Sequence, residues 1–279
     1  MNQDIEFTLA CRICYHQGNM DQHRHSLPLE VHNLGTVPYR DALAIQAGLQ
    51  ARRQANAIPD TLLLLEHPPV YTRGRRSSDG ELSLGEDFYR AQGIEIVPTD
   101  RGGKVTYHGP GQLVGYPIMR ITDVIAHLRT METAIVAALS EHGIEARSRC
   151  EEGIDYTGVW VADRKIASIG VHVSRGVSTH GFAVNVTNDL EPFRWIMPCG
   201  LSDVTMTSVM SELGHEPAGG LDAFAEIVTR CFGETRARTR DRTSRAHGLD
   251  RPDRLRGCDP KDHPTETRAR EPDRGRQIA

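Results

Sequence analysis

The spacing of apolar residues changes several times along the chain, and each change predicts an element. Leu29–Leu34 reads as a short strand, and Pro38–Arg53 as a helix carrying Ala42, Ile45, Ala47 and Leu49, with Pro38 suited to its first turn. Thr61–Glu66 is a continuous apolar strand ended by His67-Pro68-Pro69, and Ile94–Pro98 and Leu113–Met119 are further strand-like runs. Thr122–His142 places Val124, Ile125, Leu128, Ile135, Val136 and Leu139 at helical spacing, with Gly143 as the stop. Gly158–Ala162, Lys165–Ser174 and Thr179–Val186 follow, punctuated by Asp163-Arg164 and Arg175-Gly176, and predict two successive hairpins. Leu190–Ile196, Thr207–Leu213 and Leu221–Phe232 read as helical, the last two stopped by Gly214 and Gly233. Residues 77–93 are polar and weakly patterned.

Between two of the predicted strands lies Arg101–Gln112, R-G-G-K-V-T-Y-H-G-P-G-Q, in which five of twelve residues are Gly or Pro. Gly102, Gly103, Gly109 and Gly111 permit close backbone approach to a ligand, and Pro110 fixes a turn. A surface turn with incidental polar residues is the ordinary reading of such a segment. The flanking apolar runs favour a binding loop held between buried strands.

Composition divides the chain. The 279 residues suffice for a full core. The stretch from Thr235 to Ala279, however, holds thirteen basic and eight acidic residues and almost no hydrophobic ones, leaving residues 1–234 with a net charge of −9. Three parts are expected: a flexible extension (1–28), a folded domain (29–234) and an Arg-rich disordered tail (235–279). No run is long enough to span a bilayer, and the first residues lack a secretory pattern, so the expected location is the cytoplasm, with the six cysteines as free thiols. Arginines interleaved with acids, without aromatics, argue against nucleic-acid binding by the tail.

Several residues are candidates for chemistry. Cys11-x-x-Cys14 with His16, His23 and His25 could form half of a zinc site, but no second pair follows at a suitable spacing, and no metal is expected. Arg73, Arg75 and Arg76 cluster around Gly74, as a solvated turn or as a binder of acidic groups. Cys199 stands between Pro198 and Gly200, where a thiol could be presented to a ligand; most free cysteines, and here Cys150 and Cys231, are small buried hydrophobes.

Four ordered motifs carry a family resemblance: R-G-G-K-V-T-Y-H-G-P-G-Q-L-V-G-Y-P from Arg101, K-I-A-S-I-G from Lys165, H-G-F-A-V-N-V from His180, and P-C-G at Pro198–Gly200. Together, from about Leu29 to about Gly233, they resemble the lipoyl(octanoyl) transferase family. The resemblance implies an α/β fold of α+β type, a mixed sheet flanked by helices like the catalytic domain of biotin and lipoate protein ligases. It implies an acyltransferase, for which a monomer without a cofactor is expected. The implied reaction moves an octanoyl group from octanoyl-acyl carrier protein to a lysine amine on lipoyl domains of 2-oxoacid dehydrogenase complexes and on glycine cleavage H protein.

Carried over residue by residue, Cys199 is the implied nucleophile and Lys165 the group that lowers its pKa. Arg101, Gly102, Gly103, Lys104, Val105, Thr106, Tyr107 and His108, with Ser168, Ile169, Gly170, Gly181, Phe182 and Ala183, are the implied acyl-substrate segments. Either Lys165 or His108 could take the proton of the incoming amine. The alternatives are an ATP-dependent lipoate or biotin ligase on the same scaffold, which needs no cysteine, and a non-catalytic zinc- or nucleic-acid-binding protein using the two termini.

Overall fold

The computed structural model describes residues 29–196 and 204–248. The expected N-terminal extension with its Cys-x-x-Cys pair, the segment holding Cys199, and the chain beyond Gly248 lie outside the described residues. Two compact units divide the chain, Met1–Thr239 and Arg240–Ala279; the described part of the second is residues 240–248.

The first unit is built on a mixed sheet. Strand β1 (Glu30–Thr36) leads through helix α1 (Tyr39–Gln54) to β2 (Thr61–Glu66), which pairs with it in parallel. A second, three-stranded sheet follows from β3 (Val70–Arg73), the short helix α2 (Glu86–Ala91), β4 (Glu95–Pro98) and β5 (Val105–His108), in the order β4-β3-β5. The chain returns to the main sheet with β6 (Gln112–Ile118), crosses it with helix α3 (Val124–Glu141), and continues through β7 (Arg147–Ser148), β8 (Gly158–Val161), β9 (Arg164–Ser174) and β10 (Val177–Asn185). The main sheet runs β1-β2-β6-β10-β9-β8-β7, and β11 (Thr205–Met206) adds to β9 beyond the end of β10. Helices α4 (Val209–Leu213) and α5 (Gly220–Gly248) complete the described chain.

Both faces of this sheet are covered, which explains the unbroken apolar run in β2. Leu62 and Leu64 join the core formed with Met131, Ile135 and Leu139 of α3 and Phe224, Val228 and Phe232 of α5. Leu63 and Leu65 face the other way, toward Ala42 of α1, Val114 and Ile118. Helix α3 starts where Asp123 caps it by accepting from the Ala126 amide (3.1 Å), and it stops at Gly143 with φ +73°, as its sequence predicts.

Three expectations need correction. The Gly-rich segment contains a fully buried strand, β5, because its residues 105–108 pair antiparallel with β3 and need no apolar run to do so. The polar stretch 77–93 contains α2, whose Tyr89 is wholly buried and donates to the Trp195 carbonyl (2.8 Å). Gly233 does not end α5. A glycine inside a helix costs about 1 kcal/mol, and the residues around it outweigh that cost: Phe232 and Thr235 are buried, and Arg236 pairs with Asp60.

Asp60 is a buried junction. Its carboxylate also accepts from Arg53 Nε (2.8 Å) and from the Arg120 amide (3.0 Å), so it joins α1, the end of β6 and α5. Burial works to raise this carboxyl; the Arg120 amide, Arg53 and Arg236 outweigh it and hold the group below its ordinary range. Leaving a buried charge without any partner costs about 3 kcal/mol; Asp60 without Arg236 keeps Arg53 and the Arg120 amide, so the loss falls below that figure. We therefore expect Arg236→Ala, and a chain ending at residue 234, to unfold at clearly lower urea than a chain reaching residue 239, with the slope of the transition nearly unchanged for Arg236→Ala.

Candidate active site

A cleft open to solvent is walled by β9, β10, the segment Arg101–Thr106 and the side chains of Tyr39 and Tyr116. It brings together Lys165, Arg101, Gly102, Gly103, Lys104, Val105, Thr106, His108, Ser168, Ile169, Gly170, Gly181, Phe182 and Ala183. Tyr107 is the exception among the expected residues that are described. It turns into a separate core beside the three-stranded sheet, against Tyr71 and Phe193, with ring centroids 5.6 and 5.5 Å away.

Lys165 reaches the cleft through a break in alternation. In β8 and β9, Gly158 pairs with Ser168 and Val159 with Ala167, but Trp160 then pairs with Lys165, so Ile166 is an extra residue on β9. A bulge of this kind turns later side chains to the opposite face. Ile166 and Ala167 therefore both enter the α3-side core, while Ser168 and Lys165 both line the cleft. Gly158, at φ +137°, leaves the room this needs. A Cβ there would lie 2.8 Å from Lys165 Cε and 2.4 Å from the Ala167 carbonyl oxygen. The Gly158 amide is held by the buried Glu132 carboxylate (3.0 Å).

The Arg101 guanidinium turns inward. Nη2 donates to the Thr72 carbonyl (2.6 Å), the Thr72 hydroxyl (2.8 Å) and the Lys104 carbonyl (2.7 Å), and Nη1 donates to the Gly102 carbonyl (2.9 Å). Its charge organises the loop from inside. The Gly102 amide donates to the Val171 carbonyl (3.0 Å), and any side chain at Gly170 would collide with the Gly102 carbonyl oxygen at 2.7 Å. Gly102 and Gly170 thus serve a backbone-to-backbone contact that fixes the loop on β9.

Three buried histidines cluster in this region, His108, which was expected there, and His67 and His180, which the sequence did not mark as site residues. His67 donates from Nδ1 to the Val37 carbonyl (2.6 Å) and accepts at Nε2 from the Tyr116 hydroxyl (2.7 Å), which sets its neutral tautomer. His108 donates from Nδ1 to Gln112 Oε1 (2.7 Å), since the Gln112 amide nitrogen donates elsewhere, to Tyr107 and Asn185. Tyr39 stacks on His108 and meets His67 edge-on. Burial lowers His67 to about 4 and His108 well below its ordinary value, with His67 adding to the effect on His108. His180 sits at φ +56°, a strained conformation for a non-glycine residue, and bonds Asp100 through Nε2 (2.7 Å). Burial lowers His180 despite that carboxylate; Asp100 itself, raised by burial, is held below its ordinary range by His180 and His172. The signal available in the sequence was the position of His67 and His180 at the edges of motif runs, which reads equally as punctuation.

Arg76 closes an ion pair with Asp155 (2.7 Å) at the cleft mouth, where Ile154 is 63% exposed. Arg75 is exposed beside it.

Solved structures place this architecture among the lipoate protein ligases. A bipartite lipoate protein ligase from Thermoplasma acidophilum superposes with a TM-score of 0.58 at 18% identity over 74% of this chain and 82% of that one. A lipoate-protein ligase A bound with ATP gives 0.57 at 17%, over 74% and 84%. The model of the lipoyl protein ligase A/B catalytic domain matches residues 38–233, and the chain belongs to that family. Among its relatives, the octanoyltransferase of Rubrobacter xylanophilus is 46% identical over 216 residues, 75% of this chain and 95% of that protein. That of Solibacter usitatus is 49% identical over 203 residues, 71% and 89%. The expected fold class and the expectation of an acyltransferase are borne out.

The buried histidines predict an acid-labile fold. A histidine whose folded pKa is lowered takes up its proton preferentially when unfolded, so its contribution is present above the unfolded value of about 6.5 and is lost as pH falls toward 4. Thermal midpoints are expected to be flat between pH 7 and 8 and to decline steadily from 6.5 to 4.5. His127→Gln, which removes a buried histidine lowered to about 4, is expected to flatten that decline.

Proposed function

We propose that this protein transfers an octanoyl group from octanoyl-acyl carrier protein to a lysine amine of lipoyl domains, through a thioester on Cys199. The observation that supports it most is Lys165: a lysine 2% exposed, turned by a bulge into a cleft that gathers all three expected acyl-binding segments. The relatives named octanoyltransferase supply the acyl group, and the P-C-G motif supplies the nucleophile.

In this reading the Lys165 ammonium favours the Cys199 thiolate, which attacks the donor thioester carbonyl. The tetrahedral adduct collapses, the C–S bond to the donor breaks, and the leaving thiolate takes a proton from Lys165. Lys165, now neutral, removes the proton of the acceptor amine as that amine attacks the octanoyl-Cys199 carbonyl. The amide forms, Cys199 leaves as thiolate, and the ammonium beside it is restored. No ATP enters the balance. His108 is the weaker candidate for this base, because Gln112 holds its Nδ1 proton, its Nε2 faces the Thr72 hydroxyl (3.5 Å), and burial opposes its protonation.

The ligase alternative differs at one atom. Incubation with octanoyl-acyl carrier protein is expected to add one octanoyl mass to the wild type and none to Cys199→Ala; full transfer by Cys199→Ala without an adduct would refute the cysteine route. Arg75 and Arg76 are suited to an acidic carrier protein. Arg75→Glu/Arg76→Glu is expected to raise the apparent KM for the carrier several-fold with kcat nearly constant, and an unchanged KM removes these residues from the docking surface.

A further inference from the structure

Trp160 is unusual for a large aromatic residue in that its strand neighbours, Val159 and Val161, enter the core while it lies on the other face, 1% exposed. It is the direct cross-strand partner of Lys165, and Lys165 Nζ lies 5.1 Å from its ring centroid. The ring is held from three sides. Its Nε1 donates to the Tyr156 carbonyl (2.9 Å), and Arg149 lies 4.7 Å from its centroid and 4.6 Å from that of Tyr156. Arg149 is anchored in turn by Glu152 (Nε to Oε1, 2.7 Å). A buried ammonium gains from the negative face of an aromatic ring when water is excluded, and indole has the strongest such face.

We propose that Trp160 is a positioning residue of the transfer reaction: its ring holds the Lys165 ammonium in the cleft, so that the lysine's charge stays where the proposed reaction uses it. The bulge at Ile166 and the absent side chain at Gly158 bring the two together. This rests on the assignment of Lys165 and Cys199 to acyl transfer, and the test separates the two.

The chain has two tryptophans, Trp160 and Trp195. In a Trp195→Phe background, replacement of Trp160 by tryptophans of increasing fluorination preserves ring shape while weakening its π face. The kcat for octanoyl transfer and the rate of Cys199 alkylation by iodoacetamide are expected to fall stepwise with fluorine number, with KM for the octanoyl donor constant within about twofold. Trp160→Leu should lose roughly tenfold in kcat, and Trp160→Tyr should recover most of it. Rates that do not follow fluorination, or a Trp160→Leu loss carried by KM, overturn the proposal. Trace acetylation of Lys165, read by peptide mass spectrometry, is independent of transfer. It should accelerate along the same series, and an unchanged rate also overturns the role of Trp160. Full transfer by Cys199→Ala together with accelerated Lys165 acetylation would leave Trp160 as the holder of that ammonium and overturn the cysteine route alone.

Discussion

A β-strand sends successive side chains to opposite faces, and β9 departs from that rule once, between Ala167 and Lys165. With both faces of the sheet covered, regular alternation from Ser168 would send Lys165 into the apolar core against α3. An ammonium there would face a desolvation cost of several kcal/mol. The extra residue, Ile166, is absorbed by the core, which accepts another aliphatic side chain readily, and the lysine is released to the cleft. Glu132 and Gly158 make this geometry affordable: one satisfies a strand amide, and the other leaves space where a Cβ would strike Lys165.

The remaining cleft geometry follows from backbone contacts. Thr72, Gly102 and Lys104 surround the Arg101 guanidinium with carbonyl and hydroxyl oxygens, so one charged group replaces the hydrogen bonds that a regular strand would have supplied. Small residues allow the loop to lie against β9, and the register of β9 with β10 then sets Ser168–Gly170 beside Gly181–Ala183. A loop formed in this way needs few apolar residues, and it stays fixed without them.

This accounts for what could be read in the sequence. The strand runs and most of α3 were legible because their apolar periods reflect burial on one or two faces, although Val124 and Ile125 of α3 and Ala47 of α1 are exposed; Gly143 and Gly214 stopped helices because each adopts a positive φ. The buried β5 was hidden because its partners are hydrogen-bonding neighbours, and a short paired strand can be polar. Gly233 misled because a glycine tolerates helical φ as well as the left-handed region, and the choice was made by the distant Asp60. Motif order located most of the candidate site, but the roles of Arg101 and Tyr107 depended on side-chain direction. Trp160 lay outside every motif and was connected to Lys165 only by strand register.

The histidines set a condition on what the cleft can hold. His108, which lines the cleft, and His67, wholly buried against it, are kept neutral by burial, each with its Nδ1 proton committed to an oxygen, and Tyr39 and Tyr116 line the cleft beside them. An apolar chain could lie against such a surface without having to displace the hydration of an ion, whereas a carboxylate or phosphate would gain little from neutral imidazoles whose protons are already used. Of the charged groups that line the cleft, Arg101 is spent on carbonyl and hydroxyl oxygens of its own loop, Lys165 stands where the proposed reaction needs an ammonium, and Arg76 and Asp155 meet at the mouth. Neutral imidazole and phenol groups beside a charged reacting group suit an acyl group, because its own polarity is divided in the same way.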